Sequence, residues 1–185
     1  VGVVHLAAMP GDPAYRGLGG FAAVEEAALA DAKALVAGGV SAIIVENFGS
    51  APFYKGSPGD RLPPLAVAAM TRMVHTLATA PELQGLPLGV NCLRNDAPAA
   101  LAIAAACEAA FIRVNVHVGA MVCDQGLIEG EAASTLRQRA ALGAHGEIAI
   151  LADVLVKHAA PLAPLDARNA TRDTVERGLA DAVVV

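Results

Sequence analysis

Short apolar runs with polar endings recur along the chain. Val1-Gly2-Val3-Val4 ends in His5, Ile43-Ile44-Val45 in Glu46-Asn47, and Leu88-Gly89-Val90 in Asn91. Phe111-Ile112 leads into Arg113-Val114-Asn115, and Ile148 to Ala152 ends in Asp153. Runs of this kind predict strands buried in a parallel sheet, near 2–6, 42–46, 86–91, 110–114 and 147–153. A sixth begins near Asp181 and continues to Val185. Between them, apolar residues at helical spacing predict helices over Phe21 to Ala37, from Pro63-Pro64 to Ala80, after a cap at Asn95 or Asp96, over 131–142 and over 168–177. Loops are expected at 9–20, over the Gly- and Pro-rich stretch from Asn47 to Leu62, and over 115–130.

Strand alternating with helix means right-handed βαβ units. His5 to Asp153 is 148 residues over four units, or 37 each. Eight such units need roughly 300 residues, within the range of a (β/α)8 barrel. The expected fold is therefore an α/β TIM barrel of which about six β/α units are present, as one incomplete domain over residues 1–185. An open doubly wound sheet is the competitor. It would carry a glycine-rich turn after the first strand, where this chain has Leu6-Ala7-Ala8-Met9-Pro10-Gly11. Polar groups at the ends of several strands are how a barrel assembles an active site.

Composition narrows the function. The chain is 55% hydrophobic, but its most apolar stretch, Ala97 to Ala106, stops at Cys107-Glu108 and predicts a buried helix, not a membrane span. A net charge of −5 and few aromatic residues argue against a nucleic-acid partner. Cys92, Cys107 and Cys123 form no CxxC pair, which fits a reducing, cytoplasmic setting and gives no zinc signal. No Walker loop and no serine nucleophile elbow occurs.

The candidate chemistry gathers at the strand ends. Glu46 offers a general base, a metal ligand or a hydroxyl acceptor, or else a salt bridge to Arg94 or Arg113. The loop after Glu46-Asn47 is long enough for a lid. Asn91, Arg94, Asn95 and Asp96 crowd the end of the third strand. Asn95 and Asp96 suit helix capping as well as substrate contact, and Arg94 suits a phosphate or carboxylate. Arg113 and Asn115 share one side of their strand, and a buried Arg113 needs Glu46 or Asp153 as partner. His5 lies at the first strand end. Asp124 and Gln125 are either turn residues or substrate contacts, and His117 is similar. Asp153, Lys157 and His158 combine an acid, an amine and an imidazole, in a chain with only three lysines. His75 and His145 are expected to be structural or solvent-exposed. The sequence leaves the cofactor open: Glu46 and Asp153 could hold a magnesium ion, and no metal ligand is assigned.

Several segments together resemble the BtpA/SgcQ family: GVVHLAAMPGDP, AIIVENFGSAPF, LGVNCLRNDAPAALAIAAA, FIRVNVHVGAMVCDQGLIEGEA, ILADVLVKHAAPL and VERGLADAVVV. The resemblance runs in order from Val1 to Val185. It implies a barrel of the ribulose-phosphate-binding type, whose last two strands and phosphate loops would lie beyond Val185. One branch of that family is named for photosystem I biogenesis and another is associated with sugar utilisation.

Two functions are expected to compete. The first is an enzyme acting on a phosphorylated sugar-like metabolite by proton transfer or aldol chemistry next to a carbonyl. Asp153 or Glu46 would be the base, Lys157 the electrophile or Schiff-base amine, and His158 the proton relay. His5, Asn47, Asn91, Arg94, Asn95, Asp96, Arg113, Asn115, Asp124 and Gln125 would hold the substrate. The second is a non-enzymatic photosystem I assembly factor, peripheral to a membrane. A barrel that only senses a metabolite is a third version, and a homo-oligomer fits any of them.

Overall fold

The computed structural model describes residues 1–144 and 146–185; the expectation for His145 falls outside them. Six parallel strands form one sheet in the order β1 (Gly2–His5), β2 (Ile43–Glu46), β3 (Leu88–Asn91), β4 (Phe111–Val114), β7 (Ala149–Asp153) and β9 (Ala182–Val184). Each new strand joins the same side of the one before it. A doubly wound sheet reverses direction at a switch point, so this order excludes that competitor. The fold is α/β with a parallel sheet in barrel-type strand order. β1 and β9 are its two edges among the described residues.

The helices pack on one face of the sheet. α1 (Gly20–Ala37) buries Val24, Ala28 and Ala32, one residue per helical turn. Gly38 and Gly39 stop it, their amides bonding Ala34 and Val36 carbonyls. Pro63 and Pro64 open α2 (Pro64–Ala78), whose Met70, Met73, Val74 and Leu77 are fully buried. Asp96 caps α3 (Ala97–Cys107) by accepting a hydrogen bond from the Ala99 amide at 3.1 Å. α3 is the apolar stretch of the sequence, and seven of its eleven residues are buried. Among the described residues no helix is long and apolar enough to cross a membrane. α4 (Ala132–Ala141) contributes Arg139, which is buried and pinned to the Ile148 carbonyl and to Asp181.

The other face is set by strand alternation and register. Ile44, Gly89, Phe111 and Ala149 align across β2, β3, β4 and β7. They share an apolar layer with Val3, Ala42 and Leu151. A side chain on Gly89 would meet the Phe111 ring at 2.1 Å, so the ring fills the space the glycine leaves. Two residues further along each strand, on the same face, come His5, Glu46, Asn91 and Arg113. One more step on β4 and β7 brings Asn115 and Asp153. Strand period thus puts the polar strand ends directly above an apolar floor.

Two expectations are corrected. The loop at 115–130 contains a hairpin, β5 (Ala120–Cys123) and β6 (Gly126–Glu129), which with β8 (Ala160–Pro161) makes a small antiparallel sheet. Met121 and Ile128 bury its inner side against Val116 and Val156. The helix at 168–177 is α5 (Ala167–Arg172) followed by a π-helical turn, Asp173–Arg177. The wider turn lets the Gly178 amide reach the Asp173 carbonyl and brings the Gly178 carbonyl to His117 Nε2 at 2.8 Å. The 47–62 loop, expected to be long enough for a lid, is hydrogen-bonded to the segment after β3 and to the start of α4. The Tyr54 carbonyl accepts from the Arg94 amide at 2.9 Å, and Asp96 accepts from the Leu62 amide at 2.8 Å. Arg61 is bonded to Glu131 at 2.5 Å. Gly56, at φ 77°, lies so close to the Asn95–Asp96 backbone that a Cβ would sit 2.3 Å from the Asp96 nitrogen.

Gly89→Ala is expected to destabilise by about 1–3 kcal/mol, the usual effect of overpacking a filled core. Adding Phe111→Leu should recover part of that loss, so the pair will be non-additive in denaturant unfolding. Asn95 accepts from the Val116 amide at 2.7 Å and donates to its carbonyl at 2.9 Å. Asn95→Ala orphans both groups, and a loss of about 1–3 kcal/mol is expected in the same measurement.

Candidate active site

A cavity of about 800 Å³ opens at the C-terminal ends of the strands. His5, Glu46, Arg94, Arg113, Asn115, Asp124, Lys157 and His158 of the expected residues lie on its wall. They come from β1, β2, β4, the β5–β6 turn and the loops after β3 and β7, so widely separated parts of the chain converge. A second cavity of about 260 Å³ between the hairpin and α5 shares Asn115 and adds Asp153.

Arg113 organises the site. Its Nε and Nη2 donate to the two oxygens of Asp153, each at 2.8 Å, in a bidentate pair. Its Nη1 lies 3.6 Å from Glu46 Oε1. The hydrogen bonds to Asp153 hold the Arg113 proton more firmly than usual. Asp153 also accepts from Asn115 Nδ2 at 2.9 Å, and Asn115 Oδ1 accepts from Asn91 Nδ2 at 3.1 Å. Asp153 therefore orients both amides in sequence. Asn91 Nδ2 also donates to the Arg113 carbonyl at 2.8 Å, which leaves Asn91 Oδ1 as a buried acceptor with no partner among the described residues.

Glu46 differs from Asp153 although both are buried carboxyls. Its ion-pair contacts among the described residues are the looser one to Arg113 and one to His5 Nε2, at 3.1 Å from Oε2. Burial pushes the Glu46 carboxyl above its ordinary range. Arg113, His5 and Arg94 pull it down, Asp153 pushes it up, and burial prevails. A group so placed exchanges a proton more readily near neutral pH than an ordinary glutamate.

Lys157 and His158 are exposed on the loop after β7, and their side chains make no hydrogen bond or ion pair among the described residues. The Lys157 carbonyl accepts from Arg94 Nη2 at 3.1 Å, which brings the guanidinium beside the lysine. Leu155 and His158 are non-glycine residues at φ 52° and 65°, a conformation that surrounding structure must impose. Asp153 is not joined to Lys157, so the sequence cluster divides between a buried pair and an open loop.

Five expected residues lie on the wall of neither cavity. Asn47 Oδ1 accepts from the Leu93 amide at 2.7 Å and its Nδ2 donates to the Leu93 carbonyl at 3.3 Å. Asn95 holds Val116 in the same manner, and Asp96 serves the Leu62 amide and α3. Asn91 braces Arg113 and Asn115 from below. Gln125 turns back onto Asp124 at 2.6 Å in the hairpin. His117 is buried on Gly178, where burial holds its imidazole below its usual pKa. No group of three or more His, Cys, Asp or Glu side chains capable of holding a metal occurs among the described residues. An ion between Glu46 and Asp153 would have to displace the Arg113 guanidinium.

Sequence reasoning misses the aromatic part of the wall. Phe48 stacks on His5 with ring centres 4.5 Å apart, and Phe53 lies 6.4 Å from Phe48. The available signal is rarity: the chain has four Phe and two Tyr, and Phe48, Phe53 and Tyr54 fall within seven residues directly after a strand end.

Known proteins share this chain's sequence along its whole length. The model of the BtpA family matches residues 1–185. The photosystem I biogenesis protein BtpA of Synechocystis is 51% identical over all of this chain and 61% of its own length. An uncharacterized protein of Pyrococcus furiosus is 45% identical over all of the chain and 65% of its own length. The sgc region protein SgcQ of Escherichia coli is 31% identical, again over the whole chain and 65% of its own length. No solved structure matches. The chain thus spans about two thirds or less of these relatives, and along all of its residues it belongs to the BtpA family.

Proposed function

We propose that the protein is a cytoplasmic enzyme that moves a proton next to the carbonyl of a small phosphorylated, sugar-like metabolite. The observation that carries this reading is one buried carboxyl with a raised pKa, Glu46, sharing a cavity with the cations Arg94 and Lys157. Asp153, with both oxygens committed to Arg113 and Asn115, is a positioning residue in this scheme. Glu46 is the base, which narrows the two candidates to one.

In the proposed step the Glu46 carboxylate takes the proton from the carbon beside the carbonyl. The electron pair of that C–H bond forms the enediolate, and the developing oxyanion is met by Lys157 or Arg94. Glu46 then returns the proton to the former carbonyl carbon, while the hydroxyl on the first carbon gives up its proton to the former carbonyl oxygen and becomes the new carbonyl, which completes an isomerisation without any other reactant. Free of competing ion pairs among the described residues, Lys157 also suits the phosphate or, as an amine, a Schiff base with the carbonyl. His158 beside it is placed to relay a proton to the substrate oxygens.

A second reading takes its support from the name of the Synechocystis relative: an assembly factor for photosystem I. The feature that favours it is the outer face of the small sheet, where the paired residues Val122 and Leu127 are exposed. That reading requires a protein partner and no turnover.

Incubating the full-length protein with ketose and aldose phosphates in D2O distinguishes the two. Deuterium at the carbon beside the carbonyl, seen by NMR, is the expected outcome. Compounds that bind without exchanging would remove the proton-transfer assignment.

Glu46→Gln should lower turnover by about 10²–10⁴-fold, the usual worth of a positioned base. The acid limb of the wild-type kcat/KM profile should fall at a pH above the ordinary glutamate value, because the active form is the carboxylate. The same shift has a stability consequence. A folded-state pKa above the unfolded one favours the folded protein at low pH, and that advantage is lost as pH rises through the folded value. The uncharged Glu46→Gln variant escapes that loss, so its melting temperature relative to wild type should climb over that interval.

A further inference from the structure

Resting on the reading of this cavity as an anionic-metabolite site, we infer that the metabolite also carries a planar heteroaromatic ring, in the manner of a mononucleotide. The cavity has two chemically distinct ends. The rings of His5, Phe48 and Phe53 stand at the β1–β2 end. Arg94, Lys157 and His158 stand on the loops after β3 and β7. The sheet order separates β1 from β7 by three strands, so the rings and the loop cations reach the cavity from different strand ends.

Phe48 is 54% exposed, although it is one of only four phenylalanines in the chain. One of its faces lies on His5, at an interplanar angle of 27°. The exposure leaves much of the ring for a partner, and a flat ring is the shape that an existing stack extends. Size points the same way. At about 800 Å³ the cavity falls in the upper part of the 300–1,000 Å³ range of pockets that enclose drug-sized ligands, and a lone sugar phosphate leaves much of it empty. Glu46, 3.1 Å from His5, and Asn115 line the same cavity and suit the hydroxyls of a sugar. Ring, hydroxylated linker and anion together describe a phosphorylated ribosyl heterocycle.

Calorimetric titration of the full-length protein with nucleoside monophosphates and with ribose 5-phosphate tests the inference. The ring-bearing compounds should bind about 5- to 150-fold tighter than ribose 5-phosphate, the factor that stacking of a base on an aromatic side chain provides. Phe48→Leu should shrink that ratio towards one, and Phe48→Tyr should keep it. Equal affinity for ribose 5-phosphate and the nucleotides would overturn the ring while leaving the anionic site standing. A preference that survives Phe48→Leu would overturn the stacking assignment. Failure of both classes to bind would remove the anionic-metabolite reading and this inference with it, an outcome that a folded melting transition separates from misfolding.

Discussion

The site depends on one guanidinium. Arg113 faces two carboxylates on neighbouring sides and treats them unequally, gripping Asp153 with two hydrogen bonds at 2.8 Å and approaching Glu46 only to 3.6 Å. That asymmetry sets everything above the apolar floor. Asp153, held still, fixes Asn115, which fixes Asn91. Glu46 is left buried but incompletely compensated, which is the condition for a carboxyl with a raised pKa. Two acids in one site thus sit in two different surroundings, Asp153 hydrogen-bonded on both oxygens and Glu46 facing looser contacts. Removing Arg113 would strand both carboxylates in a poorly solvated place, so the residue that organises the site also keeps the arrangement foldable.

Much of this was legible along the chain because a parallel strand writes its direction into its sequence. The apolar run packs beneath the helices, and the first polar residue marks the mouth. His5, Glu46, Asn91, Arg113 and Asp153 were all visible on that basis, and Arg113 needed one of the two partners it has. The helices around the sheet were equally plain, since Gly38-Gly39 and Pro63-Pro64 punctuate them. The hairpin at 120–129 was not. Its turn is Asp124-Gln125 with Gly126 behind, which lacks the strong Asn-Gly or Asp-Gly signature, and its strands are only four residues each. Nearness in sequence also misled at Asp153, Lys157 and His158. A strand end and the loop after it diverge within four residues, Asp153 turning into the sheet and Lys157 out to solvent.

The amides carry the subtler lesson. An asparagine at a strand end reads as a substrate ligand, because that is where ligands are bound. Asn47 and Asn95 instead commit both ends of their amides to one backbone unit, Leu93 and Val116 respectively. The physical need is general. Where a parallel strand stops, its outermost N–H and C=O lose the neighbour that the ladder supplied, and a buried backbone group without a partner is costly. A side-chain amide offers one donor and one acceptor at a fixed spacing, so it can stand in for a missing strand residue.

That substitution is what makes the mouth of the sheet a site rather than a fringe of loops. Asn47 ties the end of β2 to Leu93, beside Arg94; Asn95 ties the start of α3 to Val116, two residues beyond Val114 at the end of β4. Tyr54 and Gly56 press the intervening loop onto the same short segment, 93–96. Phe48 and Phe53, carried by that loop, and Arg94, carried by the segment beneath it, are therefore held in one frame with Glu46. Groups fixed before a ligand arrives need not be reorganised when charge develops, and preorganisation of this kind is where electrostatic stabilisation draws most of its strength. The asparagines that stay off the cavity wall are therefore what holds its carboxylate, cations and rings in one frame.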